Sequence, residues 1–130
     1  MSAFSDAIFR SHPGNLPELS AQVYSDNTTL LFLSRTARMH AALWPYRKQL
    51  LDRTASHGSP PLRYMFYEHP SDPQAWQLSE QFMLGSELLV APVLAPNTSS
   101  VHLYLPRGRW LHAWSEREMV VGGRGEGEGG

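Results

Sequence analysis

Two rows of apolar residues at helical spacing run between Asp26 and Gly58: Leu30, Leu33, Ala37, Ala41, Trp44 and Leu51, with Phe32, Met39, Leu43, Tyr46 and Leu50 beside them. A surface helix shows one apolar stripe, whereas two adjacent stripes demand cover over most of the helix circumference. The pattern predicts a heavily buried helix that needs a sheet to pack on. Asp26 and Asn27 supply the N-cap chemistry that starts it. Pro45 lacks a backbone donor and crowds the carbonyl of Ala41, so a kink or break is expected near Leu43. Gly58, with Pro60 and Pro61 behind it, ends the helix.

After Pro61 the helical period gives way to a strand-like run, Leu62 to Tyr67, followed by turn chemistry at Pro70, Asp72 and Pro73. A short helix is expected from Pro73 to Phe82. Leu88 to Leu94 is continuously apolar and reads as a strand buried on both faces. Val101 to Leu105 and Arg109 to Trp114 read as two further strands joined at Pro106-Arg107-Gly108. Ahead of the long helix, Phe4, Ile8 and Phe9 suggest a short strand or helix end, running into the turn-rich loop His12-Pro13-Gly14-Asn15-Leu16-Pro17. The last residues, Gly122 to Gly130, cannot bury side chains and are expected to be disordered. About four strands fall short of the roughly seven of a β-sandwich, which excludes an independent carbohydrate-binding sandwich. They are also too few to cover the helix. The first sixty or so residues therefore look like the last repeat of a larger α/β unit, with a small antiparallel sheet appended.

Composition narrows the function classes. A chain of 130 residues supports one core. Eleven Lys+Arg against twelve Asp+Glu give a net charge of −1, which carries no electrostatic footprint for nucleic acid or anionic lipid. Without cysteine there is neither a disulfide framework nor a thiolate metal site. No run approaches the about 20 apolar residues that span a bilayer, and Met1-Ser2-Ala3-Phe4-Ser5-Asp6 is not a signal peptide. His40, His57, His69, His102 and His112 lack ligand spacing, so no metal is expected, and nothing in the sequence implies a cofactor. Trp44, Trp76, Trp110 and Trp114 are expected to be packing residues of the core or hairpin.

The stretch Gln81-Phe82-Met83-Leu84-Gly85, the run Leu88-Leu89-Val90-Ala91-Pro92-Val93 and the segment Tyr104-Leu105-Pro106-Arg107-Gly108-Arg109-Trp110 together resemble glycoside hydrolase family 31. The resemblance extends upstream through Leu43-Trp44-Pro45-Tyr46, similar to a Leu-x-Pro-Tyr signature in the last barrel helix. It continues to the Ala3-Phe4 to Arg10-Ser11-His12 stretch, similar to a motif on the final barrel strand. His12 with Gly14-Asn15 looks most like the sulfoquinovosidase-like branch. One departure is that Arg63-Tyr64-Met65-Phe66 stands where the family has Arg-Pro-Leu-Phe.

The resemblance implies an α/β plus β fold: the last strand and helix of a (β/α)8 TIM barrel, followed by part of an antiparallel β-sandwich. The boundaries it suggests are 1–63 for the barrel end, 64–120 for the proximal sandwich and 121–130 for the tail. It implies a retaining mechanism on α-glycosidic bonds, with one aspartate as nucleophile and another as acid/base. Neither of the family's aspartate motifs surrounds Asp6, Asp26, Asp52 or Asp72, so this chain is expected to carry no catalytic residue. Its substrate-binding candidates are His12, directed at a ring hydroxyl of the sugar, and Arg10 beside it. The C-terminal end of a barrel strand is where barrel enzymes place such groups. The partner implied is a carbohydrate in the context of the full protein. The competing reading is a noncatalytic module, a truncated product or pseudoenzyme that binds sugar or serves as structure.

Overall fold

A computed structural model describes Phe4, Ser5, Ile8 and residues 14–20 and 22–122. After a 3-10 turn at Pro17–Leu19, helix α1 spans Asn27–Ala42 and helix α2 spans Trp44–His57. Asp26 caps α1 by accepting from the Thr29 backbone N–H at 2.8 Å and from the Thr29 hydroxyl at 2.6 Å. The break falls at Leu43, as Pro45 requires, and Pro45 sits in the first turn of α2 where its missing donor costs nothing. Gly58, with φ 72°, closes α2 by donating to Thr54 O at 2.9 Å.

The expected burial of these helices is not met among the described residues. No residue of α1 is buried, and α2 buries only Arg47 and Leu50. Leu31 and Phe32 are 71 % and 69 % exposed. Along α1 the rows that call for a sheet find no cover among the described residues.

That sheet has three antiparallel strands in sequence order: β1 (Leu62–Arg63), β2 (Phe82–Leu84) and β3 (Leu88–Val90). Leu84 faces Leu62 on one side and Leu88 on the other. The expected strand from Leu62 to Tyr67 stops at Arg63. Met65–Glu68 instead turns into a short helix, α3, that drives Met65 into the core with Ala75 and Met83, all fully buried. Arg63 pairs with Glu68 across this corner and donates from Nε to Pro60 O at 2.7 Å. The helix expected from Pro73 to Phe82 is a 3-10 turn over Pro73–Gln77, capped by Asp72, after which the chain enters β2. The strand expected to reach Leu94 ends at Val90, shortly before Pro92.

A second sheet is a hairpin of β4 (Gly108–His112) and β5 (Arg117–Val121). The expected partner, Val101 to Leu105, is not a strand. Its backbone groups are taken by a side chain: Gln81 Nε2 donates to Tyr104 O and Gln81 Oε1 accepts from Tyr104 N–H, both at 2.8 Å. The carboxamide supplies what a neighbouring strand otherwise would. Trp110 packs partly on the core and donates to Pro106 O at 2.8 Å, but Trp44, Trp76 and Trp114 are more than half exposed, against the packing expected of them. Of the Gly-rich tail, residues 123–130 lie outside the described part.

Candidate functional site

The residues expected to touch sugar, Arg10 and His12, lie outside the described residues. Their described neighbours Phe4, Ser5 and Ile8 line an open cleft of about 420 Å³ together with Leu62, Phe82, Pro92 and Leu94. The sheet edge reaches the cleft because Leu62 of β1 and Phe82 of β2 lie on neighbouring strands. Among the described residues of the lining, Glu80 is the one ionisable group. Glycoside hydrolysis by retention needs two carboxylates about 5–5.5 Å apart, and this lining offers one. The described lining is mostly apolar.

Among the described residues, no three His, Cys, Asp or Glu side chains are grouped to hold a metal ion. A second open cleft of about 430 Å³ is lined by polar groups including Gln77, Gln81, His102 and Tyr104. Tyr104 donates its hydroxyl to Asp72 Oδ2 at 2.7 Å, and this bond holds its pKa above the usual phenol value. The Gln81 amide is already committed to the Tyr104 backbone. Two of its polar side chains, Gln81 and Tyr104, are thus already engaged within the chain.

A joint between α2 and the β2–β3 turn ties the helix to the sheet. Gly85 opens that turn with φ 61°, donating to Pro61 O at 2.7 Å. The Tyr46 ring lies so close that a Cβ built on Gly85 meets Tyr46 Oη at 2.2 Å and Leu50 Cδ2 at 2.7 Å. Tyr46 donates its hydroxyl to Leu84 O at 2.9 Å and accepts from the Glu87 backbone N–H at 3.2 Å. Burial pushes the Tyr46 hydroxyl pKa up, partly offset by the Glu87 N–H. One phenol thus satisfies both ends of a tight turn. The sequence displays Pro45-Tyr46 and the glycine after Leu84 as separate signals; that they interlock is visible only in three dimensions.

Arg47, beside this joint, is 1 % exposed and donates from Nη2 to His40 O at the end of α1. Its Nε and Nη1 have no hydrogen-bond partner among the described residues. Burial lowers its pKa from the usual value. Sequence reading passed over Arg47 because a basic residue on a helix is ordinarily solvated.

Comparison with known proteins places this geometry in context. Residues 58–127 match the glycosyl hydrolase family 31 C-terminal domain. The chain is 35 % identical over 123 residues to a sulfoquinovosidase of Agrobacterium fabrum, covering 94 % of this chain and 18 % of that protein. It is 34 % identical over 102 residues to a 1,3-alpha-isomaltosidase of Kribbella flavida, covering 78 % of this chain and 14 % of that protein. Among solved structures, a family 31 sulfoquinovosidase from E. rectale, in complex with the aza-sugar inhibitor IFGSQ, superposes with a TM-score of 0.88 at 32 % identity. That match covers 92 % of this chain and 18 % of the other. The chain thus spans less than a fifth of the length of these relatives.

Proposed function

The chain belongs to glycosyl hydrolase family 31, and from that premise we propose that it forms part of a retaining α-glycosidase. In this reading residues 1–63 are the last strand and helix of the catalytic (β/α)8 barrel, 64–120 are part of the proximal β-sandwich and 121–130 are a tail. Arg10 and His12 then stand at the end of the last barrel strand. His12 donates to a hydroxyl of the bound sugar and Arg10 orients the strand and nearby carboxylates. The nucleophile and acid/base aspartates belong to a part of the enzyme outside these 130 residues. The substrate is an α-glycoside.

One observation carries this reading: α1 presents two apolar rows and buries none of them. A helix so patterned is built to be covered, and a neighbouring barrel repeat is a cover of the right shape. The coverage of 94 % of this chain against 18 % of a relative supports the same view. Hydrogen bonds to ring hydroxyls that strengthen as the oxocarbenium ion forms supply several kcal/mol in such enzymes, which is the contribution assigned to His12.

The first test is the size of the endogenous protein, by immunoblot against the segment Asp72 to Leu94. A band several-fold heavier than the 130-residue chain is expected. That protein is then assayed on aryl α-glucosides and α-sulfoquinovosides, with the anomer of the first product read by NMR. Hydrolysis with retention, diminished in His12→Ala, is the expected result. A band only at the size of this chain, together with no hydrolysis, rejects the enzymatic reading in favour of a noncatalytic module.

A further inference from the structure

Arg47 is buried at a cost that its hydrogen bonding does not offset. Its Nη2 donates to His40 O, whereas Nε and Nη1, which carry three N–H donors between them, are buried without a partner among the described residues. A bond to one neutral carbonyl is modest recompense for desolvating a cation, and each unmet donor adds to the cost. Chain added around these residues can only bury the group further. Stability alone therefore gives no reason for an arginine here.

The place of its one bond does. α1 ends at Ala42 and α2 begins at Trp44, with Leu43 serving as C-cap of the first and N-cap of the second. The last carbonyls of a helix have no donor within it. Met39 O accepts from Leu43 N–H at 3.1 Å, and Pro45 has no N–H to offer Ala41 O. His40 O accepts instead from a side chain seven residues on, that of Arg47. Residues at that spacing share one face of a helix, and helical side chains lean toward the N-terminus. The guanidinium thus reaches back across the break and ties α2 to the last turn of α1.

One side of the break is already fixed. Tyr46, the residue before Arg47, bonds both ends of the β2–β3 turn and so holds α2 on the sheet. α1 has a looser hold on the rest of the chain: the Arg35 guanidinium lies 5.6 Å from the centre of the Trp114 ring, and both residues are exposed. A cation over a ring in water is a weak tie. The direction of α1 relative to the sheet, and with it the direction of Leu31 and Phe32, is therefore decided at the break.

We propose that Arg47 is a clamp that sets the angle between α1 and α2, fixing where the apolar rows of α1 are aimed without adding to stability. It rests on contacts within the chain and not on the enzymatic reading. The chain has no cysteine, so nitroxides on Thr28→Cys and Ala55→Cys, both exposed positions, report the angle by double electron–electron resonance. From Leu43 to Thr28, α1 extends about 22 Å. A freedom of about 20° at the break, the size of an ordinary kink, moves the Thr28 label by about 8 Å. The parent is expected to give a narrow distance distribution, and Arg47→Met one shifted or broadened by about that 8 Å. Arg47→Lys, which keeps a donor for His40 O, is expected to stay narrow, as is Arg35→Met. Far-UV circular dichroism is expected to be the same for all four. An unchanged distribution in Arg47→Met overturns the clamp. Equal broadening in Arg47→Lys assigns the effect to packing of the guanidinium and not to its bond, and broadening in Arg35→Met places the hold on α1 elsewhere; either also overturns it. Loss of helix content in Arg47→Met makes the arginine a requirement for folding, which overturns it too.

Discussion

Replacing Gly85 by alanine tests whether the joint between α2 and the β2–β3 turn organises the fold. Two penalties act together. A non-glycine residue at φ 61° pays about 1–2 kcal/mol for the left-handed conformation. The new Cβ also lies 2.2 Å from Tyr46 Oη and 2.7 Å from Leu50 Cδ2, so the phenol has to leave. When it leaves, the carbonyl of fully buried Leu84 and the amide of Glu87 lose the hydroxyl that joins them. An orphaned buried group costs about 1–3 kcal/mol. The expected destabilisation is about 3 kcal/mol, a large share of the stability of a small domain.

Urea unfolding at low protein concentration, followed by tryptophan fluorescence and far-UV circular dichroism, measures it. Tyr46→Phe keeps the ring and removes only the hydroxyl, with an expected cost of about 1–2 kcal/mol. The double-substitution cycle is the sharper test. In a Tyr46→Ala background the clash is gone, so Gly85→Ala is expected to cost only the backbone strain, about 1–2 kcal/mol. Additive penalties, or a Gly85→Ala cost below about 1 kcal/mol in the parent chain, refute the interlock.

Three other perturbations follow from single contacts. Gln81→Ala removes both bonds to the Tyr104 backbone, and a cost of about 2 kcal/mol is expected, with fast hydrogen exchange at the Tyr104 amide; retained protection there contradicts the strand-like role of the carboxamide. Arg47→Met removes a buried cation whose Nε and Nη1 lack partners among the described residues, so the stability of the isolated chain is expected to stay level or rise, by up to about 2 kcal/mol; a clear fall shows that the bond to His40 O outweighs the desolvation. Asp26 has its pKa lowered, first by the Thr29 hydroxyl and then by the Thr29 N–H. A depressed carboxyl contributes stability above its unfolded pKa and loses it as pH falls through the folded one. Helicity of the parent is therefore expected to fall in acid below the ordinary aspartate range more than that of Asp26→Asn, which caps without titrating; parallel acid curves reject the cap.

How far the sequence foretells this fold depends on where each residue's partner lies. The break at Leu43 and the stop at Gly58 were legible because Pro45 and Gly58 act on their own backbones. The hairpin of β4 and β5 was not, since its turn carries no glycine: Glu116 takes φ 55°, and the visible turn signal at Pro106-Arg107-Gly108 pointed to the wrong pair. Val101 to Leu105 has strand composition but no strand, because Gln81 saturates Tyr104 from a distant part of the chain. Of the candidate site, Arg10 and His12 fall outside the described residues, so the sequence motif alone speaks for them.

The same logic applies to the exposed apolar rows of α1. A pattern of hydrophobicity records the environment in which a segment folds, whether or not that environment belongs to the same 130 residues. Leu50, on α2, finds Gly85 and becomes buried; Leu31 and Phe32, on α1, find nothing among the described residues and stay in water. If α1 folds against a neighbouring repeat, Phe32→Gln relieves aggregation of the isolated chain while destabilising the longer protein by about 3 kcal/mol or more, the cost of removing a buried phenylalanine. Both effects are read from soluble yield and thermal melting of the two forms. Equal, small effects in both mean that α1 is a solvent-facing helix, and they remove the main physical support for a barrel beside it.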